Sequence, residues 1–484
     1  MTNTKSRILD AIAALEQGER RRAATLIRQE LKTGAKTGER WASVAKLAEK
    51  IGEIELAIEA SHRSAMTQPI TLNRILAHCG TLAKAGRSEE ALALISRLPP
   101  NAQQHPAALH FRGTIASENG EFELSEQLLR QSLQVEIAAP QAWFALSMIK
   151  TFSAGDPDFE RMAALERDIG RVDPLTQARF HYGMAKALID MGEVEKGFAY
   201  YDKGAAIRRR EEPYDRVKVE EHTADLLRSF TRDGLEKLKP SRFRKQRALF
   251  VNGLPRSGTT LVESLLTSHS KVSEGAENNL FAAASLPASD RTLAAAMAYQ
   301  ERTSEDDPFG VIATDYHRML AMRFRQPGLV VDKTLSQSMV MGLLLHSMPD
   351  ARVLWLRRNP ADVALSAYRA FFTSAVNWSW SMEDIAHQMK LEDQLYEHWA
   401  ELFPDRILTV PYEELVSSPD DWIERMLEHV GLEYEPQVRD FHKSKRKVRT
   451  ASVKQVRSPI STSAIGKSQR FAKQLEPFLE AYSR

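Results

Sequence analysis

Residues 249–260 read LFVNGLPRSGTT: a hydrophobic run, an Asn-Gly break, then Leu-Pro-Arg-Ser-Gly-Thr-Thr leading into the helical run LVESLLTS. The pattern predicts a strand, a tight turn and a helix N-terminus. Backbone N–H groups at such a turn have no partner within the helix, and the helix dipole adds partial positive charge, so the turn favours an anion. Gly253 and Gly258 stand five apart, as in the phosphate-loop pattern GxxxxGK followed by Ser or Thr, but Thr259 takes the place of the lysine. An NTPase needs that lysine on its β/γ-phosphates; a ligand with one 5′-phosphate group does not. The spacing points to phosphate, and the missing lysine argues against ordinary ATP or GTP hydrolysis.

The elements that must hold this turn follow from the rest of the C-terminal half. Short β-rich runs at Ala248–Asn252, Gly328–Val331, Arg352–Leu356 and Ile407–Val410 alternate with helical patterns such as Met382–Phe403. Strands alternating with helices predict a parallel sheet covered on both faces, with ligands at the carboxyl ends of the strands. The polar clusters fall at those ends: NGLPRSGTT, DKT, RRNPADVALS and PYEEL. Lys333 follows an apolar strand directly, which sets its ammonium at the active edge.

The N-terminal half repeats. Gly18, Gly52, Gly86 and Gly120 recur at intervals of 34 residues, and five positions after each stands a small residue, Ala23, Ala57, Ala91 or Ser125. That period is the signature of tetratricopeptide repeats, helix–turn–helix units whose glycine ends the first helix and whose small residue lets the pair approach closely. The register continues loosely at Gly155 and at Gly192, with Gly197 in the small position, and is irregular around Asp156–Arg171. Such an α-solenoid presents a concave surface suited to a peptide or partner protein; the plainer alternative is that it stabilises its neighbour or mediates self-association. Cys79 is expected in the core as a small hydrophobe. The expected domains are a repeat array over 1–212, a charged linker or helix over 213–245 and a three-layer α/β domain over 246–484.

Composition narrows the remaining classes. With 484 residues two domains are expected, and 43% hydrophobic against 27% charged residues is a globular balance. A net charge of +2 makes no global case for nucleic acid or a membrane surface. One cysteine excludes an intramolecular disulfide and fits a reducing compartment. Met1–Gly18 lacks an apolar segment of signal-peptide length, and no stretch approaches the roughly 18 apolar residues of a membrane span; the short Met339–Leu345 run suits a buried helix. A cytoplasmic protein is expected.

The motifs together resemble a known family. LPRSGTTLVESLLTSH looks like the 5′-phosphosulfate loop of sulfotransferases, and LWLRRNPADVALSAYR like their 3′-phosphate motif, an arginine followed eight residues later by serine. With EGAENN, VDKT, NWSW, PYEELV and VRTASVKQVRSP, the chain is similar to bacterial tetratricopeptide-repeat sulfotransferases, relatives of the tyrosylprotein sulfotransferases, from about Arg247 to Phe471. The resemblance implies a P-loop-like fold that transfers a sulfuryl group from 3′-phosphoadenosine 5′-phosphosulfate (PAPS) to an acceptor hydroxyl without a metal.

It also implies roles. Arg256, Ser257, Gly258, Thr259 and Thr260 would cradle the 5′-phosphosulfate, and Arg358 with Ser366 the 3′-phosphate, Arg357 being the alternative to Arg358. Glu277 would be the base, with Glu274 its rival; many small-molecule sulfotransferases use histidine instead, which brings in His269 and His317, although His269 more simply packs on its helix. Lys333 would neutralise the leaving phosphate oxygen, and Arg256 would assist. Tyr412, as cofactor contact or packing aromatic, and Ser452 and Lys467, as a closing segment, complete the set. Relatives commonly carry a tryptophan near position 468, where this chain has Ser468. The basic run from His442 to Arg457 fits attraction of PAPS better than nucleic acid. Protein or peptide tyrosine is the first acceptor implied. A saccharide or small molecule is the second, and a repeat scaffold with a nucleotide-binding but inactive transferase domain is the reading from another class. An ATP-dependent kinase is disfavoured by Thr259 and by the 3′-phosphate motif.

Overall fold

Runs of Val, Leu, Phe and Trp with little alternation build strands buried on both faces. Four such runs and one short edge strand form one parallel sheet: β1 Ala248–Asn252, β2 Val272–Glu274, β3 Leu329–Asp332, β4 Val353–Arg357 and β5 Ile407–Pro411, in the order β2-β3-β1-β4-β5, with β2 the short edge strand. The computed structural model describes residues 7–33, 37–136, 139–275, 277–373, 375–443 and 457–483. Leu249 and Val251 pack on one face with Val262, Leu265 and Trp422. Ala248 and Phe250 pack on the other with Tyr316, Leu344 and Trp399. The sheet is thus the middle of three layers.

Four strands lie within a residue of their expected places. β2 was not anticipated, because Val-Ser-Glu offers one apolar side chain. At the sheet edge one suffices: Val272 is buried while Ser273 and Glu274 are half-buried. The order places β3 and β4 on opposite sides of β1. Their outgoing loops therefore diverge at β1, the switch point where open parallel sheets form a crevice.

The N-terminal half is helical, with paired helices at Arg7–Glu16 and Arg20–Lys32, Trp41–Lys50 and Ile54–Ala65, Leu72–Lys84 and Ser88–Ser96, Pro106–Asn119 and Phe122–Val135, and Pro174–Asp190 and Val194–Glu211. Gly18, Gly52, Gly86, Gly120 and Gly192 turn these pairs at φ +74 to +89°. Ala23, Ala57, Ala91 and Ser125 have no exposed surface, and the Ser125 hydroxyl donates to the Gly113 carbonyl of the paired helix at 2.7 Å. Between 156 and 171 the chain forms only the helix Pro157–Ala164 and a short turn of 3₁₀ helix. The charged join is itself folded: helices Arg216–Ser229 and Arg232–Glu236 lie within it, and Leu226, Phe230 and Leu238 enter the core beneath the sheet. Cys79 is buried, which pushes its thiol up to about 11. No helix among the described residues is long and apolar enough to cross a membrane.

The two halves touch at Gly52, where an added Cβ would lie 2.3 Å from the Met319 sulfur; at Gly86, also with positive φ, it would meet nothing within 4 Å. Gly86→Ala is therefore expected to cost only the left-handed backbone penalty, about 1–2 kcal/mol. Gly52→Ala should cost measurably more in a denaturant titration. Equal costs would mean that Met319 yields freely.

Candidate active site

Backbone shape builds the turn after β1. Gly253, Arg256 and Gly258 adopt φ of +144, +75 and +112°. A Cβ on Gly253 would lie 3.0 Å from the Leu356 carbonyl oxygen, and one on Gly258 would lie 2.6 Å from the Tyr412 ring. Only glycine lets the turn come this close to β4 and to the helix after β5. Arg256 is a non-glycine residue in the left-handed region, a conformation that persists where surroundings over-determine it. The helix Thr259–Leu266 then starts at Gly258, with Thr259 and Thr260 in its first turn.

The expected phosphate ligands converge. Arg256 Nε donates to Ser366 Oγ at 2.8 Å, and the Arg256 carbonyl accepts from Arg358 Nη1 at 3.1 Å. Ser366 thus bonds to Arg256, where the motif spacing had paired it with Arg358; all three lie in one cleft. Arg358 also donates from Nη2 to the Ala464 carbonyl at 2.7 Å, and its guanidinium sits 4.3 Å from the Tyr412 ring centroid. Tyr412 is therefore a platform for Arg358 and a wall for Gly258. Arg357 points elsewhere, pairing with Asp393 and lying over Tyr396.

Positive charge collects here. Burial, with the charges of Arg358 and Arg369, pushes the Arg256 guanidinium down to about 10. Ser257 Oγ and Arg358 Nε are buried without a hydrogen-bond partner among the described residues. Crowded, half-buried like charges and orphaned polar atoms are costly until an anion joins them. A ligand with two anionic ends suits this donor set.

Lys333 follows β3 and is 3% exposed. Its Nζ lies 3.1 Å from Glu277 Oε1 and 3.8 Å from Glu263 Oε2, the former carboxylate half exposed and the latter buried. The loops are held in register by short bonds: Asp332 accepts from the Thr334 N–H and hydroxyl, and Thr334 Oγ1 accepts from the Asn279 N–H at 3.0 Å. One hydrogen bond thus ties the segment after β2 to the loop after β3.

Other expected residues separate. Glu274 ends β2 and faces a groove between the halves, lined also by Arg87 and Arg323. His269 packs with its ring against the Glu433 carbonyl at 3.0 Å. His317 lies tilted against Phe243 beside the start of β1, at the opposite end of the sheet, where burial, Arg247 and Lys245 push it down to about 4. Ser452 and most of the basic run lie outside the described residues; of that run, Lys443 pairs with Asp440, and Arg457 donates to the Asn119 carbonyl.

Lys467 is exposed beside a segment that Asp362 pins. The two Asp362 carboxylate oxygens accept from the Gly466 and Ser468 N–H groups, both at 2.8 Å. Ser468 is buried at this contact. Sequence reasoning missed Asp362, whose signal was that of an ordinary helix-start acid: its own N–H caps on Asn359. It also missed Glu263 and Arg369, which carry no spacing signal.

Residues 248–436 match the family model described as Sulfotransferase family. Over 415 residues the chain is 28% identical to an uncharacterised protein of Aquifex aeolicus (strain VF5), covering 82% of this chain and 53% of that one. The chain thus spans about half the length of that relative. Among solved structures it is similar to a sulfotransferase domain from the curacin biosynthetic pathway (TM-score 0.31, 16% identity, 48% of this chain and 99% of that one). Another is the sulfotransferase of Alicyclobacillus acidocaldarius (TM-score 0.27, 15% identity, 50% of this chain and 97% of that one). The segment from β1 to residue 436 is a sulfotransferase-family domain.

Proposed function

We propose that the protein is a PAPS-dependent sulfotransferase acting on an acceptor hydroxyl. The observation that carries this is the convergence of the half-buried Arg256 and Arg358 in one cleft, joined through the Arg256 carbonyl, beside orphaned donors. PAPS supplies the sulfuryl group. Arg256, Ser257, Gly258, Thr259 and Thr260 would hold its 5′ end, and Arg358 and Ser366 its 3′-phosphate, with Tyr412 bracing Arg358 and Ser452 and Lys467 on the closing segment. Arginine suits both ends because its planar fork holds two oxygens at once. Glu277 takes the acceptor's proton on a carboxylate oxygen, and Lys333 offers its ammonium to charge that develops on the leaving oxygen. Glu263 keeps the buried lysine paired when Glu277 is neutral.

Peptide tyrosine is the first acceptor to test, presented by the helical half acting as a tetratricopeptide array; the slot described below favours a hydroxyl-rich small molecule instead. The cofactor reading is tested by melting. Saturating 3′,5′-diphosphoadenosine, at about 100 times its Kd, should add about 2.7 kcal/mol, a shift of several degrees, and AMP should add much less. Equal shifts with both nucleotides refute recognition of the 3′-phosphate.

A further inference from the structure

Beside the phosphate turn lies a slot formed by residues of the turn, the loop after Lys333, the Ala375–Trp378 stretch and the helix Met382–Leu402. Leu254, Leu335 and Trp378 give it apolar walls, and its polar end is Asn252, Ser338, Gln388 and Glu392. Gln388 and Glu392 stand four apart on the helix, so both face the same side. Glu392 is 5% exposed and accepts from Ser338 Oγ at 2.7 Å. Asn252, at the end of β1, is 3% exposed; its side chain reaches toward Glu392 and lowers that carboxyl, yet its Nδ2 makes no hydrogen bond of good geometry among the described residues. The free volume is about 10 Å³, room for roughly one water-sized group.

Core packing does not call for a carboxyl here. Leu391 and Leu395 of the same helix are buried as hydrocarbon, whereas a buried carboxyl and an incompletely bonded amide each cost about 1–3 kcal/mol. We propose that this slot is the acceptor subsite, in which Glu392 and Asn252 bind a second hydroxyl of a polyol acceptor. The proposal rests on the sulfuryl-transfer reading above and narrows its acceptor. The slot shares the turn with the phosphate cleft and the loop with Lys333, so it opens at the same edge of the sheet as the phosphate turn. A hydroxyl both accepts from Asn252 and donates to Glu392. An ammonium only donates and would confront the Asn252 amide. A phenol ring is too large for the space, and its hydrocarbon edge would leave both groups unpaired. Burial raises the Glu392 carboxyl to about 7, against the Ser338 hydrogen bond, the Arg357 charge and the polar approach of the Asn252 side chain, with Asp393 adding to the rise. Near neutrality it can therefore meet a neutral hydroxyl without a full buried charge.

The test uses myo-inositol and cyclohexanol, which share a carbocycle and differ in the extra hydroxyls, with radiolabelled PAPS and the full chain. Transfer to inositol should exceed transfer to cyclohexanol by roughly 100-fold, the worth of two buried polar groups satisfied. Glu392→Leu should collapse that ratio toward one, and Glu392→Gln, which keeps shape and one hydrogen bond, should leave it intermediate. Calorimetric binding of 3′,5′-diphosphoadenosine shows that each variant is folded. A wild-type ratio near one, a ratio retained in Glu392→Leu, or no transfer to either alcohol by protein that binds the nucleotide would each overturn the polyol inference alone. Failure of the wild type to bind the nucleotide would remove the reading beneath it.

Discussion

Glu277→Gln is expected to lower sulfuryl transfer by roughly 10²–10⁴-fold, the usual worth of a positioned general base, while 3′,5′-diphosphoadenosine still binds. The glutamine keeps the shape and can still accept a hydrogen bond from Lys333, but it cannot take the acceptor's proton. Lys333 stays charge-paired in the variant because Glu263 lies 3.8 Å from its ammonium, so the loss should fall on the chemical step and not on the fold. A melting temperature near that of the wild type, together with an unchanged nucleotide affinity, separates these effects. Unimpaired turnover would move the base away from Glu277. Glu274→Gln would then be measured next, although Glu274 faces the groove toward Arg87 and Arg323. Glu263→Gln offers a contrast. It leaves the base in place but strips the lysine's buried partner, so it should reduce transfer through Lys333.

What could be read from the chain was what local rules encode. The interval between Gly253 and Gly258 is set by a turn that needs glycine at both ends, and the structure shows why: Leu356 and Tyr412 occupy the space of each missing Cβ. The eight-residue spacing from Arg358 to Ser366 placed both in one cleft, but not their partners. The bond from Arg256 to Ser366 depends on positive φ at an arginine, for which no residue preference gives a sign. Strand β2 was invisible because an edge strand of three residues needs neither length nor alternation. Glu392 was invisible for the opposite reason. A charged residue within a long helical pattern reads as part of the solvated face, and only the tertiary packing of Ser338 and Asn252 shows it to be buried. Asp362 looked like a helix-capping acid, and its second task depends on a segment about 100 residues later in the chain.

Pairings across the two halves leave even less trace in sequence, and one of them should dominate stability. Glu53, 1% exposed at the start of the helix Ile54–Ala65, lies 3.1 Å from Arg20 and 3.8 Å from Arg28, and it also accepts from Arg318 of the helix Pro308–Arg323. Asp315 of that helix in turn lies 3.3 Å from Arg20 and 2.9 Å from Arg21. Glu53→Gln leaves three guanidinium groups facing a neutral amide, and removing one member of a buried pair typically costs about 3–5 kcal/mol. Denaturant unfolding near neutral pH should show that loss. Burial pushes the Glu53 carboxyl up, but hydrogen bonds and charge from Arg318 and Arg20 outweigh it and hold the group below its ordinary value. A carboxyl lowered on folding stabilises above its unfolded pKa, and this stabilisation is lost as pH falls through the folded value. The gap between wild type and Glu53→Gln should therefore be constant above the ordinary value of 4.5 and narrow on acidification below it. A gap that does not change with pH would mean that the carboxylate's charge is not what holds the helical half to the sheet. The neutral contacts of Arg20, such as its 2.8 Å bond to the Ile51 carbonyl, would then carry the junction.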